Sequence, residues 1–260
     1  MSEAGQAELL AVAEEAALAA GALLRDSLGT RFDVTTKSTR TDPVSEADHA
    51  AERVIRELLA QRRPRDVVLG EEGGEAGGQA GGVRWIVDPL DGTVNYLYAI
   101  PHWGVSIACE DAEGPLAGVV HDPLRGETFS ATRDGPATLD GTPVSASTTA
   151  DLGLALVATG FSYDAEVRAA QAEVARALLP RVRDLRRLGS AAIDLAWAAC
   201  GRFDAFYERG LQPWDRAAGE LICARAGLAS AELAPADGLP GGLVVAPPAL
   251  LDELLGLVAV

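Results

Sequence analysis

Residues 83–96, Val-Arg-Trp-Ile-Val-Asp-Pro-Leu-Asp-Gly-Thr-Val-Asn-Tyr, set two carboxylates, Asp88 and Asp91, three positions apart around a turn. Val83, Trp85, Ile86 and Val87 before them read as a buried strand, since a short apolar run of β-branched and aromatic residues suits a covered, pleated surface. The strand is expected to end at Asp88-Pro89, because proline lacks the N–H that a ladder needs. Gly92-Thr93 reads as the start of a short helix, where free backbone N–H groups attract an anion such as phosphate. Paired carboxylates on a rigid turn attract a hard divalent cation that prefers oxygen ligands. A cation beside a phosphate is the arrangement of metal-assisted phosphate chemistry, so the segment reads as part of a phosphatase. Alone, Asp-Pro-x-Asp-Gly-Thr is also an ordinary polar turn, and three other segments bear on the choice.

Gly70-Glu71-Glu72 ends another apolar run, Val67-Val68-Leu69, and offers further oxygen ligands or a solvated acidic turn. The glycines after it, from Gly73 to Gly82, read as a mobile surface loop, not a phosphate-cradling one, since no Lys-Ser/Thr or helix follows. Asp42-Pro43-Val44-Ser45-Glu46-Ala47-Asp48 leads into an amphipathic stretch, with Ser45 a candidate N-cap and Asp48 placed to complete a capping box. Asp48 is equally placed to hydrogen-bond a hydroxyl that handles a nucleophile. In Gln212-Pro213-Trp214-Asp215, Pro213 suits a first helical position and Asp215 falls in the first turn, where the helix dipole favours an acid whatever its function.

Together, Asp42–Asp48, Gly70–Glu72, Trp85–Tyr96 and Arg187–Asp215, ending in Leu-Gln-Pro-Trp-Asp, resemble the inositol monophosphatase family in order, spacing and flanking residues. The resemblance runs from about Leu9 to Gly227 and thins in the tail, where family members commonly carry a Gly-Gly pair and this chain has Gly227-Leu228. It implies a first Mg²⁺ on Glu71, Asp88 and the Leu90 carbonyl, a second on Asp88, Asp91 and Asp215, and a weaker third on Glu71 and water. It implies that the Thr93 hydroxyl, oriented by Asp48, positions an attacking water near Glu71, and that the Gly92 and Thr93 N–H groups receive the phosphate. Gly189, Ser190 and Ala191 match the family's Gly-Thr-Ala segment, whose backbone meets sugar-like hydroxyls. Glu208 matches a carboxylate that accepts from polyol hydroxyls, though a solvent-facing strand end is an equal reading. Lys37, the only lysine in the chain, matches a phosphate contact and also suits a solvated turn.

The substrate class that follows is a small-molecule phosphate monoester, inositol 1-phosphate first. Histidinol phosphate, fructose 1,6-bisphosphate and adenosine 3′,5′-bisphosphate are the alternatives in the wider superfamily. Thr93-Val94-Asn95-Tyr96 looks closer to the inositol branch than to the adenosine bisphosphate branch, which tends to carry Lys-Glu after the threonine. A reading from another class is a non-catalytic regulatory or binding protein on the same fold; the presence of every expected carboxylate argues against it.

Charge and composition set bounds. With 22 Lys and Arg against 38 Asp and Glu, the formal charge is −16, which argues against nucleic acid or an anionic membrane as primary partner. An acidic protein repels phosphate, so metal ions must reverse the local sign. Cys109, Cys200 and Cys223 have no metal-ligand spacing and read as buried thiols in a reducing cytoplasm. His49, His102 and His121 are scattered and are left outside the chemistry. The acidic N-terminus lacks the basic start and apolar core of a signal peptide, and Leu9–Leu28 is interrupted by charges, so cytoplasmic placement is expected.

The elements that must carry these residues follow from periodicity and turn signals. Helices are expected over Ala4–Leu28, Ala47–Gln61, Asp164–Leu179, Ser190–Cys200, Pro213–Ala226 and Ala249–Leu257. Strands are expected near Arg31–Thr36 and over Val67–Leu69, Val83–Asp88, Val105–Glu110, Leu116–His121, Thr128–Thr132, Leu154–Thr159, Phe203–Glu208, Ala229–Leu233 and Gly242–Val245, with an Asp140-Gly141 hairpin. Residues 1–147 thus read as an antiparallel-rich α+β part holding most ligands, and 148–260 as an α/β part completing the site, within one compact unit. The resemblance implies that the two form a layered α-β-α-β-α sandwich, usually a homodimer.

Overall fold

A computed structural model describes residues 1–29, 34–36, 43–79, 82–236 and 238–259 of the chain. In chain order the first half carries α1 (Glu3–Asp26), β1 (Val34–Thr36), β2 (Pro43–Ser45), α2 (Glu46–Arg62), β3 (Val67–Gly70), β4 (Gly74–Gly77) and β5 (Arg84–Asp91). It continues with α3 (Thr93–Leu97), β6 (Gly104–Asp111), β7 (Gly114–Asp122), β8 (Glu127–Thr132), β9 (Thr138–Leu139) and β10 (Thr142–Pro143). The second half holds β11 (Leu156–Thr159), α4 (Ala165–Leu178), β12 (Asp184–Arg186), α5 (Ala191–Ala199) and β13 (Ala205–Arg209). It ends with α6 (Pro213–Ala226), β14 (Ala229–Leu233), β15 (Gly242–Ala246) and α7 (Leu251–Val258).

Apart from the short β1–β2 pair, the strands form two sheets. One runs β10-β9-β8-β7-β6-β5-β3-β4 and is antiparallel except where β3 lies parallel to β5. The other runs β12-β11-β13-β15-β14, parallel across its first three strands and antiparallel beyond them. The tight Leu139–Thr142 hairpin is as the Asp-Gly pair predicts: Asp140 and Gly141 both take positive φ, 49° and 74°, as a type I′ turn demands.

Strand periodicity distributes the core into layers. On β5, Trp85 and Val87 join a cluster built from α1 and α2, while Ile86 between them joins a cluster built from α5 and α6. On β13, Phe206 joins that same α5–α6 cluster, while Tyr207 joins a third cluster built from α4 and α7. The order is therefore helix pair, sheet, helix pair, sheet, helix pair: the α-β-α-β-α sandwich. Alternate residues leave each strand on opposite faces, so Asp88 follows Ile86, and Glu208 follows Phe206, onto the middle layer from opposite sides. Glu71 extends the face of Leu69, which packs on the same middle cluster.

Three expectations need correction. The strand does not end at Asp88-Pro89: β5 continues to Asp91, and its pairing jumps from Asp88 opposite Ser106 to Asp91 opposite Gly104. That bulge absorbs the proline, whose missing N–H falls where the ladder is already broken. The glycine-rich stretch after Glu72 is not all loop, since β4 pairs with β3 as an exposed edge strand. A further strand, β12, pairs with β11 where none was anticipated. Among the described residues no helix is long and apolar enough to cross a membrane. Cys109 and Cys223 are buried and Cys200 half-buried, all unpaired thiols.

Candidate active site

The β5 bulge brings the two carboxylates of the turn together. In a regular strand, residues three apart point to opposite faces. Here the extra residue changes the count, and because Ser106 and Gly104 lie two apart on β6, Asp88 and Asp91 opposite them share one face. The Leu90 N–H closes back on Asp88 Oδ1 at 3.0 Å and fixes the turn. Parallel pairing carries β3 alongside, and the Glu71 N–H donates to the Val87 carbonyl at 3.1 Å, so Glu71 leaves its strand next to Asp88.

Gly92 follows at φ 95° and starts α3. A β-carbon there would meet the His102 carbonyl and Trp103 Cβ at 3.1 Å and the Gly189 carbonyl at 3.2 Å, so glycine is required by both conformation and space. Thr93 Oγ1 lies 2.9 Å from Asp48 Oδ1 and 3.1 Å from the Leu90 carbonyl. One hydroxyl proton faces two acceptors, so the threonine oxygen is held with a lone pair free to turn to the cleft. Asp48 is fully buried on the first turn of α2. The Ser45 cap expected for this helix concerns a side chain outside the described set, as does Lys37 itself.

The second half closes the site. Asp91 Oδ2 accepts from Ser190 Oγ and from the Ala192 N–H, each at 2.6 Å, which pins it to the start of α5. Asp215 forms the capping box of α6, accepting from the Gln212 N–H at 2.7 Å. Its helix-starting role and its place in the cleft coexist: one oxygen caps and the carboxyl still faces the cavity.

A cleft of about 320 Å³ is lined by Glu71, Asp88, Leu90, Asp91, Gly92, Thr93, Gly189, Ala191, Glu208 and Asp215, together with Arg187 and the Gly160–Asp164 loop. Of the residues singled out from the sequence, Asp48 lies behind Thr93, and Ser190 is buried with its hydroxyl on Asp91, so neither side chain lines the cleft.

Electrostatically the cleft is a pool of uncomfortable carboxylates. Burial raises Asp88 well above the usual range, and Glu71, Asp91 and Asp215 push it further. Asp215 is raised by burial and then by Asp91. Asp91 is raised by burial against the pull of Ser190 and Ala192, and Glu208 is pushed up to about 8, chiefly by burial. Clustered, desolvated carboxylates of this kind mark functional sites. They supply only hard oxygen donors, with the Leu90 carbonyl beside them, which fits Mg²⁺ and suits a soft metal poorly. Among the described residues no three acidic, histidine or cysteine side chains already meet around a single point; the carboxylates line the cleft wall and repel one another across it.

Glu52 gave no signal of its own in the sequence. Its buried carboxylate accepts from the Glu72 N–H at 2.8 Å, the Gly73 N–H at 2.9 Å and Arg56 Nε at 2.7 Å. It thereby clamps the turn that carries Glu71. The available clue was its place one helical turn after Asp48, on the same face of α2.

The chain has known relatives in both sequence and fold. The inositol monophosphatase family matches over residues 5–258, which takes in the tail beyond Gly227 where the sequence resemblance had thinned. The inositol-1-monophosphatase of Mycobacterium leprae is 43% identical, over 95% of this chain and 92% of that protein. A protein named Nus factor SuhB in Escherichia coli K12 is 40% identical, over 84% of this chain and 83% of that one. The crystal structure of extragenic suppressor protein suhB from Bartonella henselae superposes with a TM-score of 0.89 at 33% identity, covering 96% of this chain and 98% of the other.

Proposed function

The chain belongs to the inositol monophosphatase family and is a phosphatase, and from that premise we propose that it is a Mg²⁺-dependent phosphomonoesterase of small polyol phosphates, inositol 1-phosphate foremost. The family is generally metal-dependent; Mg²⁺ as this chain's ion, and two to three ions as its complement, are part of the proposal. The observation that carries it is the meeting of Glu71, Asp88, Asp91 and Asp215 with Thr93 in one cleft, backed by buried Asp48.

In this reading Glu71, Asp88, Asp91, Asp215 and the Leu90 carbonyl hold the metal. Bound there, Mg²⁺ lowers the pKa of water, neutralises phosphate charge and stabilises the leaving alkoxide, so no histidine nucleophile is needed. Thr93, restrained by Asp48, orients the attacking water together with Glu71. The Gly92 and Thr93 N–H groups receive phosphate oxygens. Glu208 and the Gly189–Ala191 segment, which begins α5, select the hydroxyls of the alcohol, and Glu208 held protonated near neutral pH can donate as well as accept.

The M. leprae relative is named an inositol-1-monophosphatase, which supports inositol 1-phosphate as the first substrate. The E. coli relative is named a Nus factor, which points to a regulatory role that a shared fold can host beside or instead of catalysis. Phosphate release from inositol 1-phosphate, fructose 1,6-bisphosphate, histidinol phosphate and adenosine 3′,5′-bisphosphate, each with and without Mg²⁺, tests the reading. Inositol 1-phosphate should lead in kcat/KM. No Mg²⁺-dependent turnover of any of them, in folded protein, favours the regulatory role. Homodimerisation, expected from the family resemblance, is checked by sedimentation.

A further inference from the structure

The arginines of this acidic chain are mostly spoken for. Arg56, Arg63, Arg125 and Arg202 each bind a carboxylate within 2.8 Å. Arg209, at the cleft, turns its guanidinium away to the Ala234, Pro240 and Val258 carbonyls. Arg187 differs. It lines the same cleft and is exposed, yet it makes no hydrogen bond or ion pair among the described residues. That is unexpected for a cation placed in a cleft lined by six carboxylates, in a chain of formal charge −16.

Its position is built. A β-carbon on Gly189 would lie 2.8 Å from Arg187 Nη1 and 3.1 Å from Asn95 Nδ2, so the guanidinium lies over a backbone that only glycine leaves clear. Gly189 holds φ 97°, and Asn95 fixes the loop by donating to the Leu188 carbonyl at 2.8 Å and the His102 carbonyl at 2.7 Å. The charge is felt in the cleft, since Arg187 pulls Glu208 and Asp194 back toward ionisation against their burial. Yet it approaches neither closely enough to pair. A guanidinium fork with its donors unspent recognises a phosphate by two parallel hydrogen bonds.

We propose that Arg187 forms a subsite for a second phosphate on the substrate, remote from the phosphate that is hydrolysed, so that the cleft favours polyol bisphosphates over the matching monophosphates. This rests on the polyol phosphatase reading. The same charge works against a substrate whose far end is an ammonium.

The test compares fructose 1,6-bisphosphate with fructose 1-phosphate, a pair differing only in the second phosphate, on the wild-type chain, Arg187→Gln and Arg187→Lys. Glutamine should lower kcat/KM about ten- to hundredfold more for the bisphosphate than for the monophosphate, mainly through KM, as expected for a lost charge-assisted pair. Lysine should recover part of that difference, and added salt should shrink it in the wild type. Equal losses on both substrates would make Arg187 a general charge balance and overturn the subsite; no loss on either would do the same. Binding of both sugars is also titrated with Ca²⁺ in place of Mg²⁺. If the wild type turns over neither sugar, the hydrolytic reading is judged on inositol 1-phosphate, and this titration still decides the subsite. Tighter bisphosphate binding that Arg187→Gln abolishes upholds it, and equal binding overturns it.

Discussion

The carboxylate of Glu208 occupies the space where a side chain at position 160 would begin: a β-carbon on Gly160 would collide with both of its oxygens and its carboxyl carbon. Gly160 directly follows β11 and Glu208 lies on neighbouring β13, so the glycine is the seat on which the proposed hydroxyl-reading carboxyl rests. Gly160→Ala should displace that carboxyl without touching Glu71, Asp88, Asp91 or Asp215. KM for inositol 1-phosphate is expected to rise about tenfold or more, with a stability cost of about 1–3 kcal/mol for overpacking. p-Nitrophenyl phosphate, which has no polyol hydroxyls, should be affected far less. Equal effects on both substrates would remove Gly160 and Glu208 from alcohol recognition.

Thr93 and Asp48, 2.9 Å apart, make a second separable unit. Thr93→Ser keeps the hydroxyl and should retain most of kcat, whereas Thr93→Val should lose about 10²–10⁴-fold, the range for removing a group that manages a proton in the transition state. Asp48→Asn can still meet the hydroxyl but carries no charge, and its loss should fall between the two. Steady-state kcat for the three variants checks the order; a fully active Thr93→Val would dissociate the hydroxyl from the reaction.

Carboxyls raised in the fold make both stability and metal affinity depend on pH. Asp88, Asp91 and Asp215 are raised mainly by burial, and Glu208 reaches about 8. The unfolded chain ionises these groups near the ordinary range of about 4. The metal-free fold holds their protons longer, so its stability is full below that range and falls as pH rises through the raised values. Mg²⁺ requires the ionised form, so its binding should release protons and tighten with pH. Thermal midpoints in EDTA should be lower at pH 8 than at pH 6. Calorimetric titration of Mg²⁺ in two buffers of different ionisation enthalpy should report proton release at pH 6.5. A midpoint that rises with pH, or no proton release, would contradict the electrostatic picture of the cleft.

What the sequence revealed, and what it hid, divides along physical lines. Asp88, Asp91, Glu71 and Asp215 were legible because each follows a periodic apolar run or a helix start, and local pattern decides where such a run ends. Pro89 misled because a bulge is decided by the partner strand: only the pairing of Ser106 and Gly104 shows that β5 survives the proline. Exposed β4 was hidden in glycines because its ladder comes from β3 and from Arg56, which donates to the Gly74 carbonyl at 2.6 Å. Glu52, Gly160 and Arg187 share one difficulty. Their meaning lies in what they touch, or do not touch, at residues remote in the chain, and no local spacing encodes that.

The central claim is that the four carboxylates hold a catalytic Mg²⁺, and Asp88 is the one that all the others press upon. The most direct test is Mg²⁺-dependent release of phosphate from inositol 1-phosphate by the wild type and by Asp88→Asn. The wild type should require Mg²⁺ and fall silent in EDTA. The variant should lose at least about a thousandfold. Its metal-free unfolding temperature should not drop below that of the wild type, because the substitution removes a buried, repelled carboxyl. Turnover indifferent to EDTA, or Asp88→Asn within tenfold of the wild type, would contradict the account.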